Sequence, residues 1–402
     1  MEPVTLARYA DLVVRSCLGI GEGELLAVHA EPSSRPFAIA LAEAGYRAGA
    51  RYVDTTITDP RIRRARIVGA RDVATLAEEP AWQAARMRHL VAERAGLVSI
   101  AGPEELAPLA GVDPARALRE RSTRVPGSAV YLRAVMRGRA RFCVVCWPLP
   151  GWCARVYPEL SPAAATERVH ADLATFCRIG PDDGAGTAAW DAHVATLGAR
   201  ARALGALGLD RVELRGPGTE LTVGLLPESR FLSADETLPD GRRFTANLPT
   251  EEVFTTPDPR RVEGTFACTR PLSLDGRFID GIRGELRRGR LVRVEAAAPD
   301  DSEFLRAYFA RDRGAGRLGE LALVDDSSRI GRSGRVYGLT LLDENAASHI
   351  ALGSGYEIAG GAGSNRSSVH VDVMIGCSEL DVSGVGRDGR RVPLVRGGRF
   401  QI

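Results

Sequence analysis

The chain has 402 residues, of which 45% are hydrophobic and 26% charged, and its formal net charge is +2. This composition is typical of a globular protein large enough for two domains, and the balanced charge indicates neither a nucleic-acid partner nor a membrane surface. Every one of the 53 basic residues is arginine, so chemistry that needs lysine, such as P-loop phosphate binding, a pyridoxal Schiff base or a Ser–Lys dyad, is excluded.

The first half of the chain alternates helical and strand patterns. Apolar residues at helical spacing predict helices, and the short apolar runs between them predict buried strands. In chain order the patterns are helix 4–18, strand 24–30, helix 35–50, strand 51–57, helix 89–95, strand 96–102, helix 128–140 and strand 141–150, followed by a helix-rich stretch to about residue 207. This alternation is typical of a parallel sheet with helices on its faces.

The second half consists mainly of short alternating strands joined by turns that contain glycine. The strand patterns cover residues 211–225, 263–270, 277–296 and 390–402, and the clear helical pattern covers residues 302–312. Short strands with tight turns are typical of antiparallel sheets. We therefore predict an α/β N-terminal domain with a parallel sheet over residues 1–207, and an α+β, mostly antiparallel C-terminal domain over residues 208–402.

One strand pattern of the second half contains a histidine and an acid on the same face. In SSVHVDVMIG the side chains alternate, so His370 and Asp372 share one face while the valines share the other. Such a pair is either a structural contact in the core or two ligands of a metal ion, and the pair alone does not decide. His349 offers a third ligand, and the three side chains would suit a site of two histidines and one carboxylate.

Three glutamates of the second half lie in unusual surroundings. Glu252 is in a segment bracketed by prolines, Glu320 lies among leucines, and Glu344 lies five residues before His349. A lone carboxylate is costly to bury unless a cation or an arginine pairs with it, and for Glu320 both explanations stay open. Neither a helix nor a strand would put Glu344 and His349 on one face, and two glycines follow, so we expect a bent, irregular loop over residues 343–356.

The sequence resembles the aminopeptidase T family, the thermophilic metalloaminopeptidases that include the aminopeptidase S group. The motifs on which the resemblance rests are, in chain order, NLPTEEVFTTP, LGELALV, LLDENAASHIALGSGY and SNRSSVHVDVMIG. AEPSSRPFAIALAEAGYRAGARYVDT also fits the first βαβ unit of that family, so the likeness covers essentially the whole chain.

The resemblance implies a two-metal exopeptidase whose C-terminal domain is the catalytic, metal-binding one. The ligands implied by motif are Glu252, Glu320, Glu344, His349, His370 and Asp372. Glu320 is the implied bridging carboxylate and one candidate for a general base that the sequence leaves open. Tyr356 is a possible catalytic residue that donates to the oxyanion. Glu251 replaces the glycine of the family motif, which adds a carboxylate next to a ligand without removing one.

Such an enzyme would hydrolyse the N-terminal residue from short peptides, with a hydroxide that bridges two divalent ions of zinc, cobalt or manganese as the nucleophile. The resemblance also implies a homodimer. The start of the chain contains Glu2, Asp11 and Arg15, and no stretch approaches about 18 uncharged apolar residues. We therefore expect no signal peptide, no membrane span and a cytoplasmic location.

Two other readings of the same residues stay open at this point. A mononuclear iron ring-cleaving dioxygenase, which has a similar fold, would need only His349, His370 and Asp372, and it would leave the three glutamates without a role. A non-catalytic metal site that only stabilises the C-terminal domain would bind metal without hydrolysing amino-acyl substrates.

Overall fold

The computed structural model describes residues 1–78, 80–102, 109, 111–123, 130–131, 134–135, 137–184 and 186–402. Its helices are α1 Pro3–Asp11, α2 Arg35–Arg47, α3 Pro60–Gly69, α4 Ala81–Ala92, α5 Pro114–Thr123, α6 Pro150–Val156, α7 Pro162–Phe176, α8 Ala188–Ala206, α9 Pro299–Phe309, α10 Thr340–Asp343 and α11 Glu357–Gly360. A π-helix, Leu12–Cys17, continues α1. No helix in the described part of the chain combines the length and the apolar character needed to cross a bilayer.

The strands are β1 Leu25–Ala30, β2 Tyr52–Ile57, β3 Gly96–Ala101, β4 Arg141–Cys146, β5 Leu209–Gly216, β6 Thr219–Leu225, β7 Leu232–Ser233, β8 Asp235–Thr237, β9 Arg243–Thr245, β10 Asn247–Leu248, β11 Glu252–Thr255, β12 Pro257–Ala267, β13 Leu272–Leu274, β14 Arg277–Ile279, β15 Arg283–Arg287, β16 Arg290–Glu295, β17 Leu318–Val324, β18 His349–Gly353, β19 His370–Met374, β20 Asp381–Gly386, β21 Arg391–Arg396 and β22 Arg399–Phe400. The strand patterns read from the sequence are therefore present in both halves of the chain.

The chain forms two compact units, and the first contains residues Met1–Asp191 and Glu236–Leu248. Its five-stranded sheet has the order β10-β4-β3-β1-β2, and the four pairings are parallel, as the βαβ rhythm predicted. The short strand β10 comes from the returning segment, which the sequence analysis did not anticipate. Five of the thirteen residues of the helix predicted over residues 128–140 lie outside the described residues.

The second unit contains residues Ala192–Asp235 and Pro249–Ile402. It has an eight-stranded sheet, β16-β15-β12-β6-β5-β20-β21-β22, and a five-stranded sheet, β19-β18-β17-β11-β7, both antiparallel. Apolar side chains of both sheets and of α8 and α9 form one core. The mostly antiparallel second half was thus predicted correctly, while the domain boundary after residue 207 stays a prediction.

The segment 343–356 is more regular than expected. Glu344 starts a short 3-10 turn directly after α10, but His349 begins strand β18 instead of lying in a loop. Ile350 and Leu352 alternate with the residues of the opposite face and point into the core, a period of two that the nearby glycines obscured. No single helix or strand contains both Glu344 and His349, as their spacing predicted, but the prediction of irregular backbone at His349 was wrong.

Candidate metal centre

The five-stranded sheet of the second unit has two chemically different faces. One face is part of the core and contributes Val253, Leu321, Leu323, Ile350, Leu352, Val371 and Val373. Residues directly opposite each other on neighbouring strands share a face, so the register places Glu320, Ala351 and Asp372 in one row on the other face. A period of two along each strand therefore separates apolar residues from titratable ones.

The remaining titratable residues of this face lie on the adjoining rows. Phe254, Ala322 and His349 are opposite one another, and Glu252 lies two residues before Phe254 on β11. His370 pairs with Gly353 at the start of β19. Ala322 and Ala351, both fully buried, are the small side chains between these ligand-type residues.

A bulge between Leu318 and Glu320 shifts the register of β17 against β18. Gly319 lies in this bulge, where a Cβ atom would approach the carbonyl oxygen of Ser354 to 2.3 Å. Only glycine tolerates so close a backbone approach, and bulges of this kind redirect the neighbouring side chain. This close approach explains why the LGELALV motif has glycine directly before Glu320.

Five of the six predicted ligands form two groups whose potential ligand atoms lie within 4.8 Å of one another. The first group is Glu252, Glu320 and His349, and the second is Glu320, His370 and Asp372. Nε2 of His349 lies 3.2 Å from Oε2 of Glu252. Nε2 of His370 lies 3.2 Å from Oε2 of Glu320 and 3.1 Å from Oδ1 of Asp372. Glu320 belongs to both groups and therefore connects them.

Both histidines are oriented by backbone carbonyl groups. Nδ1 of His349 lies 3.2 Å from the oxygen of Ala347, and Nδ1 of His370 lies 2.8 Å from the oxygen of Ser354. A carbonyl oxygen only accepts, so each Nδ1 donates its hydrogen. In the neutral ring this leaves the lone pair on Nε2, which faces carboxylates. This is the arrangement usually found for histidines that bind a metal ion through Nε2.

The carboxylates of the site are buried and strongly perturbed. Burial raises the pKa of Glu320; His370 lowers it, and the charges of Glu252 and Asp372 raise it again, with a net increase. Burial also raises the pKa of Asp372, but the charges of both histidines lower it below its ordinary value.

The histidines respond to the same charges. Burial lowers the pKa of His349, but Glu252, Asp372 and Glu320 together raise it to about 10. For His370, burial again lowers the pKa, and the charges of Asp372 and Glu320 raise it well above its ordinary value. The site thus favours positive charge strongly.

A buried carboxylate oxygen of Glu252 shows whether these residues fit a cation. Oε2 of Glu252 is buried and makes no hydrogen bond to any described residue, although Nε2 of His349 is only 3.2 Å away. Buried carboxylate oxygens are normally hydrogen-bonded or coordinated, because desolvation is costly. Together with two Nε2 atoms that face carboxylates, this mixed nitrogen and oxygen donor set fits divalent zinc, cobalt or manganese.

The sixth predicted ligand, Glu344, lies beside the groups but joins neither of them among the described residues. Burial raises its pKa well above the ordinary value, and the charges of Asp372, Glu252 and Glu320 add to the increase, while His349 opposes it. The carboxylate therefore shares the electrostatic environment of the site. Nδ2 of Asn345 is 3.4 Å from its Oε1.

Tyr356 lies at the edge of the site. Its ring centroid is 5.4 Å from the ring of His370 and 5.5 Å from the ring of Phe254. Tyr356 also packs against a small apolar cluster of Phe254, Ala322 and Ala359. The structure thus brings the tyrosine next to one of the two groups.

Sequence reasoning missed Asn345, which is fully buried. Its Oδ1 accepts a hydrogen bond of 2.7 Å from the backbone N–H of Glu251, and its Nδ2 donates to the oxygen of Leu341. Asn345 therefore links the turn of Glu344 to the start of β11. Its position next to Glu344 in the DENAASHI motif was the available signal.

The carboxylate of Glu251 lies away from both groups, near α8. Its Oε2 is 3.6 Å from Nε2 of His193, which in turn is 2.8 Å from the carbonyl oxygen of Thr250. His193 thus lies beside the acid that replaces the glycine of the motif.

Comparison with known proteins places the chain in a family. The model of the thermophilic metalloprotease (M29) family matches residues 3–400. The chain belongs to this family. Aminopeptidase T of Thermus aquaticus is 35% identical over 407 residues, which cover 99% of this chain and 98% of the relative. Aminopeptidase PepS of Streptococcus thermophilus is 32% identical over 410 residues, with coverages of 99% and 98%.

Solved structures agree with this assignment to the thermophilic metalloproteases. Wild-type AmpT from Thermus thermophilus superposes with a TM-score of 0.90 at 34% identity, with 99% of each chain covered. A 2,5-dihydroxypyridine dioxygenase from Pseudomonas putida has a TM-score of 0.54 at 15% identity, covering 98% of this chain and 96% of its own. The second match shows a shared fold and nothing of the chemistry.

Family membership confirms the resemblance read from the motifs and the predicted enzyme class, a metalloaminopeptidase hydrolase. It also implies a divalent metal cofactor, which the residues described above fit.

Proposed function

We propose that the protein is a two-metal aminopeptidase that removes the N-terminal residue from short peptides. The observation that supports two ions best is the charge of the site. Glu252, Glu320, Glu344 and Asp372 are all buried, and when all four are ionised as ligands they carry four negative charges. Two divalent cations would neutralise these charges, whereas one would leave two of them uncompensated in a poorly solvated place, which is costly.

The two groups suggest how the ligands are divided. One ion would be held by Glu252 and His349, the other by His370 and Asp372, and Glu320 would bridge them because it belongs to both groups. Glu344 would add a carboxylate oxygen from the turn that precedes β18. The two histidines lie in different groups, which supports two ions over the single iron of a ring-cleaving dioxygenase.

The ions, when bound, would polarise the scissile carbonyl and supply a bridging hydroxide as the nucleophile. The protein's own contribution is to hold the ligands in a preorganised, buried arrangement and to provide groups that accept or donate a proton. The carboxylate of Glu320 is our candidate for the proton acceptor, since it belongs to both ligand groups. Tyr356 lies beside His370 and is our candidate for a donor to the oxyanion.

The substrate and assembly are inferred from the relatives. The matched proteins are named aminopeptidases, so we propose peptides with a free N-terminus as substrates. We also propose that the protein acts in the cytoplasm as a homodimer and needs neither nucleic acid nor a membrane as a partner. Light scattering of the purified protein tests the dimer.

A panel of amino-acyl anilides and short peptides tests the activity. The protein is treated with a chelator, dialysed and reconstituted with zinc, cobalt or manganese, while bound metal is counted by mass spectrometry. We expect hydrolysis that is lost on chelation and restored at two ions per chain. Hydrolysis that persists unchanged after chelator treatment would refute the proposal. One iron per chain with oxygen-dependent turnover would support the dioxygenase, and metal binding without any hydrolysis would support a purely structural site.

A further inference from the structure

Thr256 is a fully buried residue directly after the strand that contains Glu252. Its hydroxyl contacts the backbone of Tyr356 twice. The N–H of Tyr356 donates to Oγ1 of Thr256 at 3.1 Å, and Oγ1 donates to the carbonyl oxygen of Tyr356 at 3.1 Å. One side chain thus contacts both backbone groups of a residue 100 positions away, although the carbonyl oxygen of Tyr356 also accepts from the N–H groups of Ala359 and Gly360.

The two partners are themselves held in place. Oγ of Ser364 lies 3.2 Å from the carbonyl oxygen of Tyr356 and 2.8 Å from that of Gly361, so its one hydrogen is shared between the two. Oγ of Ser229 donates to the carbonyl oxygen of Thr256, at 2.6 Å. Helix α11, which follows Tyr356, packs on the methyl group of Thr256 so closely that a Cβ atom at Gly360 would lie 2.6 Å from it. The backbone of Tyr356 therefore has a fixed position relative to β11.

The fixed backbone places the tyrosine ring. Tyr356 is the N-cap residue of α11, with φ −85° and ψ 117°. Its ring lies between Phe254 on β11 and His370 on β19. Because Phe254 and Thr256 lie at the same end of β11, the contact of Thr256 ties Tyr356 to the strand that provides Glu252.

From these contacts we propose that Thr256 is a positioning residue that holds Tyr356 beside the metal centre. The proposal rests on the proposed function, in which Tyr356 donates to the oxyanion. A hydroxyl is required because it must accept from one backbone group and donate to another. Serine retains this ability, whereas valine keeps the shape of threonine and loses both hydrogen bonds.

The test uses the metal-loaded enzyme and the variants Thr256→Val, Thr256→Ser, Tyr356→Phe and the double variant Thr256→Val with Tyr356→Phe. Thr255→Val is the matched control, since Oγ1 of Thr255 is buried without a hydrogen-bond partner among the described residues. A displaced catalytic group costs on the order of 100-fold in rate. We therefore expect Thr256→Val to lower kcat about 10- to 100-fold, with KM and metal content little changed.

The conservative and double variants separate positioning from general damage. Thr256→Ser should retain at least about a third of kcat, and Thr255→Val should behave as the wild type. In the Tyr356→Phe background, Thr256→Val should change kcat by no more than about twofold, because residues that act through one another are not additive. Hydrogen exchange should show that the amide of Tyr356 exchanges faster in Thr256→Val than in the wild type. In Thr256→Ser and Thr255→Val the exchange rate should stay as in the wild type.

Three results would overturn the proposal. The first is an undiminished kcat in Tyr356→Phe, and the second is a full additional loss in the double variant. The third is unchanged exchange of the Tyr356 amide in Thr256→Val. If the wild type hydrolyses no amino-acyl substrate, the proposed function fails, and hydrogen exchange still decides whether Thr256 holds Tyr356.

Discussion

Replacing Glu320 by glutamine removes one negative charge from the centre of the site without changing the size of the side chain. Glu320 belongs to both ligand groups, so the variant should weaken the binding of both ions. In the metal-free protein the effect on stability should be small or favourable. The reason is that the folded structure raises the pKa of Glu320, so the ionised carboxylate costs stability at neutral pH and the neutral amide does not.

The expected magnitude follows from metal linkage. An ion at about 100 times its dissociation constant stabilises the folded state by about 2.7 kcal/mol, and two ions by roughly 5 kcal/mol. The unit that contains the site has about 200 residues, for which 1 kcal/mol shifts Tm by roughly 2–4 °C. Metal should therefore raise the Tm of the wild type by about 10–20 °C, and that of Glu320→Gln by less than half as much.

Calorimetry and metal counting check this prediction together. Both proteins are stripped with a chelator, and Tm is measured before and after zinc or manganese is added. Glu251→Gln is the matched control, since Glu251 is also a buried glutamate but its carboxylate lies by His193 and outside both groups. The reasoning is refuted if Glu320→Gln binds two ions and gains the same Tm increase as the wild type. It is also refuted if the metal-free variant melts far below the metal-free wild type.

Three further predictions concern single side chains. Tyr356→Phe should lower kcat by about 100-fold at unchanged metal content in steady-state assays; a normal kcat would remove Tyr356 from the mechanism. Glu252→Gln should reduce bound metal from two ions towards one, because Glu252 belongs to one group only; a full count of two would contradict the assignment. Glu251→Gly, which restores the family residue, should keep both ions, because Glu251 belongs to neither ligand group; loss of metal in mass-spectrometric counting would show that Glu251 acts on the site.

The strands that bear the ligands could be predicted because side-chain alternation is local. His370 and Asp372 share a face of β19, as the period of two in VHVDV predicted. Glu320 lies in a strand whose seven residues are all buried, as its leucine neighbours indicated. For these residues the alternation in the sequence directly predicts the face of the strand on which each side chain lies.

Other features depend on partners that are distant in the chain. Residues 236–248 belong to the first unit although they follow part of the second in the chain. The local periodicity of the sequence does not indicate this. The contact of Glu251 with His193 and that of Thr256 with Tyr356 join positions 58 and 100 residues apart, and hydroxyl and carboxylate side chains have many possible partners. Only the register of the sheet and the packing of the loops decide which of these contacts form.

The architecture explains why the site tolerates so much buried charge. The core face of the five-stranded sheet is apolar and well packed, so it stabilises the strands independently of the face that contains Glu320 and its neighbours. Repulsion among the carboxylates can then be opposed by tertiary packing until cations bind. The same rigidity fixes Nε2 of His349 and His370 towards the carboxylates through their backbone contacts, so little rearrangement is needed on binding. A sheet with one apolar face for stability and one face for chemistry therefore accounts for the convergence of the ligand side chains.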